Sequence, residues 1–267
     1  MPIACVNNIK IFYEQTGAGP DLILIAGFSA THDIWNTLIP LLRDQYRVTV
    51  LDNRGAGQSS SEGVEYSIEG MAHDVAALMQ HLNISSAYYV GHSMGGLILQ
   101  VLASTYPNTI KKAILLCSGL LTPTAFGFHG SVNAALKTAG VDWELLIKNQ
   151  ASFLFGPAFL NDKKQLDAFI MRSKTYPHPQ TEAGLAGQGL AIRNFKRLEH
   201  LSRITVPTQA LLGDADTIAL LYPNQKLLKQ HNPLIQVEML ENCGHMPQLE
   251  CPLALSTRLK EYFIEKP

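Results

Sequence analysis

The feature that most constrains this chain is the segment 90–96, Val-Gly-His-Ser-Met-Gly-Gly, which lies between a predicted strand and a predicted helix. Residues 87–90 before it favour a β-strand, and residues 97–106 after it have a helical pattern that a proline closes. A Gly-x-Ser-x-Gly sequence in this setting predicts a sharp turn that exposes the hydroxyl of Ser93. Its glycines leave room where side chains would collide with the strand and helix. The alternative is an ordinary glycine-rich turn in which Ser93 has no chemical role.

The distribution of apolar segments predicts an α/β fold with a mostly parallel sheet. Strands buried on both faces are expected at six short apolar runs, residues 22–25, 47–51, 87–90, 113–117, 208–212 and 235–240. Between residues 120 and 201 no such run occurs, and helical segments are interrupted by Gly and Pro. We therefore predict a single domain in which residues 1–119 and 202–267 form the α/β core and residues 120–201 form an inserted helical cap.

Composition and charge exclude several classes of function. The hydrophobic fraction of 46% and the charged fraction of 16% are typical of a globular protein with a large core. A formal net charge of -1 does not favour nucleic-acid binding, and no apolar run approaches the roughly 20 residues of a membrane span. The first ten residues do not resemble a signal peptide, so we expect a cytoplasmic protein. The four cysteines lack metal-ligand spacing, so we expect idle thiols, no metal and no cofactor.

Two later loops contain the groups that would activate Ser93. A serine hydroxyl becomes a strong nucleophile when a histidine, oriented by a carboxylate, removes its proton. In parallel sheets, reactive groups collect at the carboxyl ends of the strands. Asp214 and Asp216 follow the strand that ends at residue 212, and His245 follows the strand that ends at residue 240. Either aspartate could instead begin an Asx turn, and His245 could instead cap the last helix.

Taken together, these residues resemble the α/β-hydrolase-fold superfamily over almost the whole chain. The most similar subgroup contains carboxylesterases, enol-lactonases and esterases of biotin synthesis. The resemblance implies that Asp216, three residues after the glycine of its loop, is the acid, with Asp214 as the less favoured candidate. The turn itself predicts the backbone N–H of Met94 as one donor to an oxyanion, and the resemblance implies the N–H of Phe28 as the second. The usual His-Gly before that second donor is replaced by Ala-Gly at residues 26–27, a change that leaves a backbone donor in place.

The substrate pocket is predicted between Ser93 and the cap. Its expected walls are aromatic side chains of the cap and of the segment after the Phe28 loop, namely Trp35, Phe126, Phe128, Trp143 and Phe153. Much of this set could equally form the core of the cap.

A cluster of basic residues suggests a macromolecular partner. Arg193, Lys196 and Arg197 are spaced i, i+3 and i+4 in a predicted helix over residues 190–201, and would share one helical face. Such a face is usually only solvated. The more specific hypothesis is a docking patch for an acidic acyl carrier protein.

The sequence therefore predicts a cofactor-independent serine hydrolase that cleaves carboxylic esters of a small or acyl substrate. Ser93 would attack, His245 would transfer the proton, Asp216 would orient His245, and water would release the acyl-enzyme. The resemblance extends the expectation to the methyl ester of a pimeloyl carrier protein. One alternative is an enol-lactonase or a carbon–carbon bond hydrolase, because residues 52–57 also look lactonase-like. The other is a hydrolase-fold receptor that senses a small ligand with little turnover.

Overall fold

The computed structural model describes residues 2–119, 132–133 and 135–264. Its strands are β1 (Ile3–Val6), β2 (Ile9–Thr16), β3 (Asp21–Ile25), β4 (Arg47–Leu51), β5 (Ala87–His92), β6 (Ile110–Leu116), β7 (Thr208–Gly213) and β8 (Gln236–Leu240). They form one sheet in the order β1-β2-β4-β3-β5-β6-β7-β8. The pairs β1–β2 and β2–β4 are antiparallel, and every other pair is parallel. The predicted α/β architecture with a mostly parallel sheet is confirmed.

Helices connect these strands. The α-helices are α1 (Ile39–Leu42), α2 (Ile68–His81), α3 (Met94–Thr105), α4 (Trp143–Leu154), α5 (Pro157–Asn161), α6 (Lys163–Thr175), α7 (Glu182–Asn194), α8 (Arg197–Leu201), α9 (Leu221–His231), α10 (Pro247–Glu250) and α11 (Pro252–Phe263). Short 3-10 helices lie at His32–Trp35 and Pro107–Thr109. Between β6 and β7, the described residues contain only helices and loops, as expected for a cap. The exact cap boundaries stay a prediction.

The sheet is buried on both faces because its central strands are apolar along their whole length. In β3, Ile23 and Ile25 pack into one hydrophobic cluster, together with residues of α2 and α3. Leu22 and Leu24 point to the opposite face and pack into a second cluster, together with residues of α1 and α11. Alternate residues of a strand point to opposite faces, so a continuous apolar run is what two covered faces require. This packing holds the carboxyl edge of the sheet rigid.

One predicted helix is wrong. The segment 190–201 is two helices, because α7 ends at Asn194 and α8 begins at Arg197. Between them Phe195 has an extended backbone, with φ -69° and ψ 129°, and its buried ring stacks on His200 at 5.4 Å. Burial of this ring takes the chain out of helical geometry. Arg193, Lys196 and Arg197 therefore do not share one helical face.

The three basic side chains also differ in exposure. Arg193 and Lys196 are exposed, whereas Arg197 is partly buried and burial lowers its pKa. Lys196 lies 3.7 Å from the carboxylate of Glu199. A docking patch, if one exists here, would therefore consist of Arg193 and Lys196 at the junction of α7 and α8.

A buried ion pair ties the loop after β4 to α2. Arg54 Nε and Nη2 donate to Asp74 Oδ2 and Oδ1 at 2.6 and 2.7 Å, and both side chains are at most 10% exposed. Asn7 Nδ2 also donates to this carboxylate at 3.0 Å. The ion pair between Arg47 and Asp21 is also bidentate, with Nε and Nη2 donating to the two carboxylate oxygens at 2.6 and 2.8 Å. The Arg47 side chain, however, is 42% exposed.

We predict that Asp74→Ala lowers the free energy of unfolding by about 3–5 kcal/mol, because it leaves the Arg54 guanidinium buried and unpaired. The matched change Asp21→Ala should cost about 1 kcal/mol or less, because water can solvate Arg47. Urea denaturation followed by circular dichroism measures both values. Equal losses in the two variants would contradict this assignment.

Candidate active site

Ser93 lies in a strained turn between β5 and α3. Its backbone has φ 53° and ψ -115°, a region that non-glycine residues rarely occupy. A Cβ atom on Gly91 would lie 2.3 Å from the carbonyl oxygen of Gly95, and a Cβ atom on Gly95 would lie 2.2 Å from that of Ile25. Both positions therefore exclude any side chain. The turn has the geometry that the Gly-x-Ser-x-Gly pattern predicts.

Ser93, His245 and Asp216 form a continuous chain of hydrogen bonds. Ser93 Oγ lies 2.9 Å from His245 Nε2, and His245 Nδ1 lies 2.8 Å from Asp216 Oδ2. The residues come from the loops after β5, β8 and β7, which meet at the carboxyl edge of the sheet. His245 and Asp216 are only 3% and 4% exposed, whereas Ser93 is partly open. Chemically, this arrangement can remove a proton from the Ser93 hydroxyl.

The two aspartates of the β7 loop have different roles. Asp216 Oδ1 accepts hydrogen bonds from the N–H groups of Ile218 and Ala219 at 2.7 and 2.8 Å, while Oδ2 faces His245. Burial alone would raise the pKa of Asp216, but His245 and these donors hold the pKa below its usual value. Asp214 Oδ1 accepts instead from the N–H of Cys243 at 3.0 Å. Asp216 is thus both an Asx-turn residue and the partner of His245.

His92 holds the backbone of His245. Burial lowers the pKa of His92 to about 3, so its ring is neutral at physiological pH. His92 Nε2 therefore carries the proton and donates to the carbonyl oxygen of His245 at 2.7 Å. The N–H of His245 donates to the carbonyl oxygen of Leu154, at the end of α4, at 2.8 Å. Both backbone groups of His245 are therefore bonded, one to the core and one to the cap.

The backbone N–H groups of Phe28 and Met94 belong to two segments that adjoin Ser93. A Cβ atom on Gly27 would lie 3.1 Å from Ser93 Cβ, so the loop after β3 passes directly beside Ser93. The Phe28 N–H forms no hydrogen bond among the described residues. Met94 begins α3, where N–H groups lack an acceptor within the helix. The role of these two N–H groups as donors to an anionic oxygen stays a prediction.

Gln188 of the cap holds the loop that contains Phe28. Its side chain is fully buried, and its Oε1 accepts from the N–H of Ser29 at 2.9 Å. Its Nε2 donates to the carbonyl oxygen of Arg54 at 2.9 Å. Gln180 Nε2 adds a third bond, to Gln188 Oε1, at 3.1 Å. Sequence reasoning missed Gln188 because nothing around a glutamine in the middle of a helix marks it as a contact of a distant loop.

The aromatic residues predicted to line the pocket lie in different places. Trp35 is fully buried, with its ring edge-on to His92 at 6.3 Å between centroids. Phe153 is buried near Asp216, because its carbonyl oxygen accepts from Thr217 Oγ1 at 3.0 Å. Trp143, at the opposite end of α4 and about 15 Å away along the helix axis, is 37% exposed. Phe126 and Phe128 lie outside the described residues, and the pocket stays a prediction.

One cluster has ligand types that could hold a metal ion. Atoms of Cys117, Asp216 and His245 lie within 4.8 Å of one another. His245 Nδ1 and Asp216 Oδ2 already bond each other, and burial raises the pKa of the Cys117 thiol. A metal would need the thiolate and a free imidazole nitrogen. The geometry therefore favours proton transfer over metal binding.

Comparison with known proteins gives a consistent family. A family model described as alpha/beta hydrolase fold matches residues 20–252. A putative carbamate hydrolase RutD of Serratia proteamaculans is 31% identical over 212 residues, which cover 78% of each chain. A karrikin insensitive 2 receptor of Petunia hybrida is 25% identical over 251 residues, covering 91% of this chain and 90% of the receptor. A pimeloyl-[acyl-carrier protein] methyl ester esterase of Aeromonas hydrophila is 27% identical over 258 residues, covering 91% and 95%.

A solved structure shows the same fold. The enol-lactonase of Burkholderia xenovorans superposes with a TM-score of 0.84 and 23% identity, covering 99% of this chain and all of the lactonase. At that identity the likeness concerns the fold alone. None of the helices in the described part of the chain is long and apolar enough to cross a membrane.

We predict that Asp216→Asn slows the reaction of Ser93 with a fluorophosphonate by roughly a thousandfold or more, because the amide stabilises the wrong tautomer of His245. Asp214→Asn, the same replacement two residues earlier, should slow it less than tenfold, because the Asp214 carboxylate accepts from the N–H of Cys243 and does not face His245. Labelling rates followed by intact-protein mass spectrometry measure both. A larger effect at residue 214 would reverse the assignment.

Proposed function

This chain belongs to the α/β-hydrolase-fold family, and from that membership we propose that it is a serine hydrolase of carboxylic esters. The observation that carries the proposal is the hydrogen-bonded chain from Ser93 Oγ through His245 to Asp216, at 2.9 and 2.8 Å. It combines a hydroxyl, an imidazole and a carboxylate that can act as nucleophile, base and orienting group, and the proposal adds the N–H groups of Phe28 and Met94 as donors to the oxyanion. The relatives named as hydrolases and esterases support the same class of reaction.

In the proposed reaction, Ser93 Oγ attacks the carbonyl carbon of the ester while His245 Nε2 takes the hydroxyl proton. The negative charge that develops on the carbonyl oxygen is stabilised by the N–H groups of Phe28 and Met94, each worth roughly 3 kcal/mol in the transition state. Asp216 stabilises the imidazolium through the bond to Nδ1. His245 then gives its proton to the leaving alcohol, which completes the acyl-enzyme.

The second half of the reaction uses the same groups. A water molecule replaces the alcohol, His245 removes a proton from it, and the water oxygen attacks the acyl carbon. Collapse of the second tetrahedral intermediate returns the proton to Ser93 and releases the carboxylic acid. Every proton moves through His245 Nε2, so no cofactor is needed for this chemistry.

For the substrate, we propose an acyl chain carried by an acidic carrier protein. The similarity to a methyl ester esterase named for such a carrier supports this choice. The exposed Arg193 and Lys196 at the junction of α7 and α8 offer positive charge to an acidic partner. Lys196 also neighbours Glu199, which weakens its pull on a partner.

A second candidate is a receptor for a small ligand. The similarity to a karrikin insensitive receptor over most of both chains favours this alternative. A receptor would bind a small ligand, its melting temperature would rise when the ligand binds, and it would turn the ligand over slowly. Thermal shift and turnover, measured on the same ligand panel, separate the two functions.

We propose that the protein works in the cytoplasm. All four cysteines are free, and the sulfur atoms of Cys243 and Cys251 lie 3.1 Å apart. A reducing compartment would preserve such a pair.

We predict that the protein hydrolyses short-chain p-nitrophenyl esters and that Ser93→Ala lowers kcat by roughly a thousandfold or more, because no other group replaces the nucleophile. Ser85→Ala is the matched control, since Ser85 is exposed and precedes the opposite end of β5. Release of p-nitrophenol gives the rates. Wild-type turnover that survives in Ser93→Ala would overturn the proposed function.

We predict that the double charge reversal Arg193→Glu/Lys196→Glu raises KM for a carrier-bound methyl ester about tenfold, because it repels an acidic partner. KM for the p-nitrophenyl ester should not change, since the reversed residues lie outside the hydrogen-bonded site. Mass spectrometry of the carrier measures the first reaction at several salt concentrations. An unchanged KM for the carrier ester would remove this patch from the proposal.

A further inference from the structure

The loop between β8 and α10 must hold His245 accurately, because the His245 ring bonds Ser93 on one side and Asp216 on the other. A displacement of about 1 Å at a catalytic group can cost roughly a hundredfold in rate. The backbone N–H and carbonyl of His245 are bonded to Leu154 and His92. These bonds hold His245 itself but do not involve the N–H groups of its two neighbours, Gly244 and Met246.

The carboxylate of Glu250 bonds both of those N–H groups. Its Oε2 accepts from the N–H of Gly244 at 2.9 Å, and its Oε1 accepts from the N–H of Met246 at 2.9 Å. One side chain therefore accepts hydrogen bonds from the residues immediately before and immediately after His245. Bonds from N–H groups to a carboxylate are roughly twice as strong as those between neutral groups.

The same carboxylate also reaches the cap. Glu250 Oε2 accepts a second bond, from the N–H of Gly156, at 2.8 Å. Gly156 lies between α4 and α5, two residues after Leu154. A Cβ atom on Gly244 would lie 2.4 Å from the nitrogen of Gly156, so the two backbones touch and no side chain fits between them.

Burial raises the pKa of Glu250, and its three N–H donors oppose that rise because they favour the ionised form. If the Glu250 carboxyl were protonated, one of its two oxygens would carry a hydrogen. That O–H group would then face a backbone N–H, and the hydrogen bond between them would be lost. The three bonds thus require the carboxylate.

We infer that Glu250 is a positioning residue for His245, and that its bond to Gly156 makes the placement of His245 depend on the seating of the cap. The inference rests on the proposed function, in which His245 is the base. Glu250 itself touches neither Ser93 nor the ring of His245 in any described hydrogen bond. It acts through the loop.

The test is Glu250→Gln, which keeps the size of the side chain but replaces one acceptor oxygen by an NH₂ donor. Whichever way the amide turns, at least one of the three N–H groups loses its acceptor. We expect kcat for a p-nitrophenyl ester to fall roughly 10- to 100-fold while KM stays within about twofold, because the loop moves but the acyl pocket does not. Glu241→Gln, the same change at an exposed residue just after β8, should match the wild type.

A second measurement does not need turnover. The low-field proton resonance of the bond between His245 Nδ1 and Asp216 should shift or broaden in Glu250→Gln and stay unchanged in Glu241→Gln. If the wild type shows the resonance but hydrolyses no ester, the proposed function is contradicted. The role of Glu250 can still be tested in that case, by comparing the resonance of Glu250→Gln with that of the wild type. A folded Glu250→Gln with the resonance and kcat of the wild type would overturn the inference.

A purely structural role gives a different result. In that case the melting temperature would fall, and kcat would return to the wild-type value at a temperature well below the transition. If Glu250→Gln does not fold, Glu250→Asp keeps the charge but shortens the reach, and the same two readouts apply. An unchanged kcat and resonance in Glu250→Asp would then also overturn the inference.

Discussion

The backbone of Ser93 has a conformation that costs about 1–3 kcal/mol, and the rest of the site depends on the packing that maintains it. Gly91, Gly95 and the end of β3 approach one another so closely that a single added carbon would separate them. This contact sets the direction in which the Ser93 hydroxyl points. It also brings the loop after β3, which contains Gly27 and Phe28, beside Ser93. The strain is tolerated because a sheet buried on both faces surrounds it.

The site belongs to the cap as much as to the sheet. Each of the three loops around Ser93 is hydrogen-bonded to a cap residue: the Phe28 loop to Gln188, the Asp216 loop to Phe153, and the His245 loop to Leu154. The sheet places the three loops at one edge, but it does not fix their positions to within an ångström. The cap supplies bonds of 2.8 to 3.0 Å that do so. A movement of the cap would consequently displace the loops that carry the reacting groups.

This coupling gives a physical reason why relatives of this chain include both hydrolases and receptors. A serine, a histidine and an aspartate in hydrogen-bonded order supply nucleophilic chemistry, but the rate depends on how well the surrounding structure fits the transition state. A cap bonded to the loops can favour turnover or, in another sequence, retain a ligand and change shape. In the proposed function the cap and its junction with the core would select the substrate, and there the sequence carries few recognisable motifs.

The sequence by itself determined the parallel sheet, the turn at Ser93, and the loops that contain Asp216 and His245, because each leaves a local pattern of apolar runs, glycines and strand ends. The predicted helix over residues 190–201 was wrong because the tertiary burial of Phe195 overrides helical periodicity. Only the folded chain decided that Asp216, and not Asp214, meets the His245 ring. Only the folded chain brought Gln188 to Ser29 across 159 positions, and Glu250 to Gly156 across 94. Contacts that distant leave no local pattern, since they exist only after the cap has packed on the sheet.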